Sequence, residues 1–138
     1  MPKKSKEETV TSLVSVWKPR LLLDQWAVMP TIKETTEDQP YDKTLATVEV
    51  IPRYTDARME IYPQFWLENS GAQRAAIVHE LLHIPLHQIR EALAQAVKKG
   101  LISEKRKDDL VEGVVEYITK VLVKAYSRNK KPSGGYVI

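Results

Sequence analysis

Asn69-Ser70-Gly71-Ala72-Gln73-Arg74-Ala75-Ala76-Ile77-Val78-His79-Glu80-Leu81-Leu82-His83-Ile84-Pro85 is the stretch on which the reading of this sequence turns. Asn69, Ser70 and Gly71 supply a helix start, because short polar side chains accept hydrogen bonds from the first unpaired N–H groups of a helix. Ala75, Ala76, Val78, Leu81 and Leu82 then recur at helical spacing, which predicts an apolar helix from Ala72 through about Ile84. Pro85 has no N–H to donate and should kink or break that helix.

The flanks of this stretch read as strands on one side and helices on the other. Upstream, Thr44 to Pro52 is rich in β-branched residues, Arg53 to Asp56 is turn-like, and Arg58 to Tyr62 forms a second short run. Two strands joined by so short a connection pair antiparallel. Trp26, Val28, Pro30 and Ile32 alternate at period two and predict an earlier strand, followed by a polar loop from Thr35 to Lys43. Ser5-Lys6-Glu7-Glu8 opens an N-terminal helix with Val10, Leu13, Val14 and Trp17 on one face, and Pro19 ends or kinks it. Leu21 to Leu23 add a further turn. Downstream, Leu86, Ile89, Leu93, Ala96 and Val97 form a helical stripe up to Lys99-Gly100. A last helix runs from about Glu104 to Ser127 on Val111, Val114, Val115, Ile118, Val121, Leu122 and Ala125. Gly113, in its middle, suggests close packing against the motif helix.

The chain has 138 residues, 43% hydrophobic and 28% charged. These values suit one domain over 1–138, which the strands and helices above make α+β, with residues 1–6 and 129–138 expected as flexible tails. No apolar run is long enough to span a membrane. Cysteine is absent, so thiolate zinc sites and cysteine nucleophiles are excluded, and a cytoplasmic location is expected. The net charge of +3 hides an acidic body: Lys3, Lys4, Lys6, Arg128, Lys130 and Lys131 hold the excess at the two ends, leaving 15 basic against 18 acidic residues over 7–127. That distribution disfavours nucleic-acid binding, which clusters basic residues on a face.

The chemistry lies in His79-Glu80-Leu81-Leu82-His83, an H-E-x-x-H pattern inside a predicted helix. Residues four apart stand one above the other, so two imidazoles can converge on one zinc ion, while Glu80, about 100° around the helix, sits beside it as a general base. Burying two imidazoles and a carboxylate among apolar neighbours is costly unless something pairs them. A catalytic zinc takes a third protein ligand. His87 is a poor choice, because His79 and His87 on an unbroken helix would stand about 12 Å apart, although a bend at Pro85 would change that. On the last helix Glu112 lies about 110° from the centre of the predicted apolar face and Glu116 about 150°. The flanking position favours Glu112, and one turn of register error exchanges the two.

With a hydrophobic strand pair before it and Glu112 opening a Val-Val helix about thirty residues later, this motif resembles the minimal gluzincins, short zinc metallopeptidases found in many phage and bacterial genomes. The resemblance covers roughly Thr44 to Ala125. It implies a three-stranded antiparallel sheet packed on the active-site helix and the C-terminal helix, with the edge strand aligning an extended peptide. It also implies His79, His83 and Glu112 as zinc ligands and Glu80 as general base in hydrolysis of a protein or peptide substrate, by a chain expected to be monomeric. His87, Tyr117 and Tyr54 are the residues available to stabilise an oxyanion. The rival readings are a non-catalytic zinc-binding module and a nucleic-acid-associated regulator using the basic ends. Tyr136-Val137-Ile138, on the Ser133-Gly134-Gly135 linker, would lie in the cleft or along the edge strand and block it, as latency segments do in some relatives.

Overall fold

The computed structural model describes residues 4–36 and 43–128. They form two compact units that divide between His87 and Gln88. The first holds helix α1 (Lys6–Arg20), strands β1 (Ala27–Ile32), β2 (Ala46–Ile51) and β3 (Asp56–Ile61), and helix α2 (Ser70–Leu82). The second is built on α3 (His87–Lys98), which starts at the division, and α4 (Glu104–Arg128). The α+β class is as expected. No helix among the described residues is long and apolar enough to cross a membrane.

Helix α1 starts where a reciprocal cap is available. Ser5 Oγ accepts from the Glu8 N–H at 3.1 Å, and the Glu8 carboxylate accepts from the Ser5 N–H at 3.1 Å. The Ser5 backbone bond, followed by the Ser5 hydroxyl, holds the Glu8 carboxyl below its ordinary range. This contribution is therefore present above the ordinary carboxylate pKa and fades as pH falls through the lowered one. Val10, Val14 and Trp17, at steps of four and three, are buried. Pro19 sits in the last turn and the helix stops one residue later. The chain leaves through Leu22, a non-glycine residue at φ 59°. That conformation lets Leu22 N–H donate to Pro19 O at 3.1 Å and Leu23 N–H to Lys18 O at 2.8 Å, and it delivers Leu23 into the core.

The sheet corrects the antiparallel expectation. It is mixed, in the order β1-β3-β2: β2 and β3 form the antiparallel hairpin, and β1 pairs with β3 in parallel, with Ala27 opposite Asp56 and Ile32 opposite Ile61. Two physical reasons fix this order. Strand β3 carries the most deeply buried side chains, Ala57, Met59 and Ile61, all 0% exposed, and so takes the centre. Strand β1 contains Pro30, which cannot donate to a ladder on both sides and is confined to an edge. Ala27 N–H donates to Thr55 O and Lys33 N–H to Ile61 O, so the odd-numbered residues of β1 bond β3. The missing N–H of Pro30 then falls on the free side of the sheet. On the other edge, Tyr62 N–H donates to Leu45 O, which makes 45/62, 47/60 and 49/58 the hydrogen-bonded pairs. Ala46, Val48 and Val50 therefore turn their N–H and C=O away from β3.

Helix α2 packs against α1 and β2, and their shared core includes Val14, Trp17, Ile77, Val78 and Leu81. In the second unit, Gly100 at φ 75° ends α3, and Ser103 Oγ caps α4 through the Arg106 N–H at 3.0 Å. The buried ridge of α4 is Lys107, Val111, Val115 and Thr119, in steps of four. Val114 and Val121, expected inside, are 46% and 49% exposed, and Ile89 on α3 is 55% exposed. Gly113 is exposed, and a Cβ there would meet nothing within 4 Å, so it does not serve the close packing expected of it. The C-terminal segment expected to block the cleft lies outside the described residues.

The strain at Leu22 is removable. Leu22→Gly should stabilise the protein by about 1 kcal/mol, the cost of left-handed backbone for an L side chain. The check is the urea midpoint, and a midpoint that fails to rise would mean that Leu22 carries no strain.

Candidate metal centre

Asn69 sets the start of α2, its side chain accepting from the Ala72 N–H at 2.8 Å. From there the helical period turns Ile77, Val78, Leu81 and Leu82 into the core and leaves His79 and Glu80 half-buried beside it. The helix is shorter than the sequence suggested. It ends at Leu82, and residues 83–86 form a turn, with Ile84 N–H donating to Leu81 O at 3.0 Å and Leu86 N–H to Leu82 O at 3.3 Å. Pro85 breaks rather than kinks the helix, since its ring in a continuing helix would collide with the carbonyl four residues earlier.

His83 is the C-terminal cap of α2, yet its backbone, at φ −61° and ψ −21°, is still helical. The spacing of four therefore survives at the very end of the helix. The imidazole rings of His79 and His83 lie with centroids 5.3 Å apart and planes inclined by 66°. Glu80 brings its carboxylate to 3.9 Å from His79 Nε2, with its side chain only 13% exposed. The structure thus brings together three of the sequence-derived residues: His79, Glu80 and His83. They sit where the unpaired carbonyls at the end of a helix give a partial negative charge, a setting that favours a cation.

Glu112 is on the first part of α4, exposed and next to buried Val111. With the buried ridge centred as observed, Glu112 lies about 80° from that centre and Glu116 about 120°, so their order is unchanged. His87 opens α3 and is half-buried. Tyr117 on α4 is 71% exposed, and Tyr54, in the 3-10 turn after β2, is 63% exposed under the Arg53 guanidinium.

One polar group escaped the sequence reading. Tyr62 Oη donates to Glu60 Oε2 at 3.2 Å and lies 3.3 Å from Thr47 Oγ1, while Lys33 Nζ is 3.8 Å from the same Glu60 oxygen. Its signal was the strand alternation, which needs the β2–β3 register before Thr47 can be set opposite Glu60. Trp66 has Lys6 over its ring at 5.3 Å, and its buried indole N–H has no hydrogen-bond partner among the described residues.

No protein-family model matches the chain, and neither does a curated protein or a solved structure.

The cap that starts α2 should matter for the site at its other end. Asn69→Ala should lower stability by about 1 kcal/mol, read from a denaturant curve. A loss below a few tenths would show that packing alone sets the helix start.

Proposed function

We propose that this chain is a zinc-dependent metallopeptidase of the minimal gluzincin type. His79, His83 and Glu112 hold the zinc, and Glu80 is the general base. The observation that carries the reading is the pair of imidazoles set side by side at the end of α2, with the Glu80 carboxylate against one of them. The donor chemistry agrees. Two imidazole nitrogens and a carboxylate oxygen, one atom from each residue, make a set that suits zinc and leaves room for water.

When bound, zinc supplies a Lewis acid that lowers the pKa of water and polarises a carbonyl. The chain's own residues do the rest. The Glu80 carboxylate, mostly sheltered from solvent, takes the proton of the attacking water and returns it to the leaving amine. Strand β2, at the edge of the sheet and packed on α2, offers the N–H and C=O groups of Ala46, Val48 and Val50 to an extended peptide. Pro30 blunts the opposite edge, which favours β2 as the aligning strand. A chain without cysteine suits a reducing compartment, and the reading places this peptidase in the cytoplasm, acting as a monomer on protein or peptide substrates.

Elemental analysis of protein purified without added metal should find about one zinc per chain. Glu80→Gln should keep that zinc and abolish hydrolysis of an unfolded protein such as casein. Protein that neither contains zinc nor gains melting temperature on its addition would overturn the reading, and zinc bound without hydrolysis in the parent chain would make the domain a non-catalytic module. For the third ligand, Glu112→Gln should weaken zinc binding by at least about 10-fold to 100-fold, with a smaller loss for Glu116→Gln and little for His87→Ala. The largest loss at either of the latter two would reassign that ligand.

A further inference from the structure

We propose that an exposed apolar face of α4 is a docking surface for an acidic amphipathic helix of a partner protein. Leu110, Val114, Tyr117 and Val121 are 37%, 46%, 71% and 49% exposed. Their steps of four, three and four residues place them in an arc about 60° wide, the width of a seam by which one helix packs on another. Single apolar residues on a surface call for no explanation, but four aligned over three turns do. The seam is distinct from the face that α4 buries, the ridge of Lys107, Val111, Val115 and Thr119. Gly113 borders the seam, and among the described residues a Cβ there would meet nothing within 4 Å, so their packing does not ask for glycine. A helix laid into the seam would, because its backbone can approach most closely there.

Charge beside the seam identifies the occupant. Arg106, Lys120 and Lys124 are all exposed, and they fall on the Gly113 side within about 90° of the seam's centre. Among the described residues none of the three is in an ion pair. The nearest carboxylates of the helix, Glu104 and Asp109, lie about 110° away and are held at 2.7 Å by Lys107 and at 2.9 Å by Lys105 respectively. A second copy of the chain fits poorly. Laid antiparallel, it sets this basic flank against itself; laid parallel, it sets the flank against Val111 and Ile118, with no carboxylate to meet it. A helix with leucines along the seam and glutamates beside it satisfies both the apolar arc and the three cations.

The probe is a fluorescein-labelled synthetic peptide of about three heptads with Leu at the seam positions and Glu beside them, compared with a second peptide carrying Lys in place of those Glu residues. Fluorescence anisotropy of each peptide is followed as the full chain is added. The glutamate peptide should bind saturably, more weakly as salt rises, and at least about tenfold more tightly than the lysine peptide. Tyr117→Ser with Val121→Ser should cost it about tenfold, and Lys120→Glu with Lys124→Glu should reverse the preference between the peptides. These side chains are exposed, and amide shift changes in the parent chain, confined to α4, provide a readout that needs no variant. Equal binding of both peptides, no saturable binding, shift changes elsewhere, or a dimer in sedimentation that Tyr117→Ser dissolves would each overturn the proposal.

Discussion

The last turn of α2 is held under a constraint on which the rest of the first unit depends. One side must keep Ile77, Val78 and Leu81 fully out of water, while the other must present two imidazoles and a carboxylate that prefer a polar partner. A helix meets both demands only if it cannot rotate, because a rotation of about 100°, one residue's worth, would put His79 in the place of Val78. Close packing against α1 and β2 prevents that rotation, and the Asn69 cap with the Pro85 break limits sliding along the axis. Geometry at the site thus follows from apolar packing on the opposite side of the same helix.

What could be read from residues alone was what depends on short range. The pairing of His79 with His83 is set by four residues of helix, the cap of α1 by Ser5 and Glu8, and the β2–β3 hairpin by the turn between them. The order of the sheet was not legible in that way, because it places β1 beside a strand about thirty positions later, past another strand of similar composition. Pro30 was the available clue. Read as a residue that belongs at an edge, it argues against burying β1 inside a sheet, though it does not tell which neighbour β1 has.

Helix α4 illustrates a second limit. Its valines and isoleucine form one broad apolar arc by periodicity, and the structure divides that arc between a buried ridge and an exposed seam. Periodicity reports that a helix has an apolar side and not how many surfaces share it. The angular order of Glu112 and Glu116 is unchanged because both shift together when the centre of the buried ridge moves.

The parallel pairing of β1 with β3 also bears on how the first unit assembles. Its register joins residue 27 to residue 56, whereas the hairpin joins 51 to 56. Closing the longer loop costs more chain entropy, and contacts of high sequence separation form more slowly than local ones. Everything that positions the imidazoles apart from α1, namely β2, β3 and α2, is contiguous between residues 46 and 83. The chain segment bearing the chemistry is therefore joined by contacts of short sequence range, and β1 and α1 close over it through contacts of long range, Val10 and Trp17 of α1 being buried in the same core.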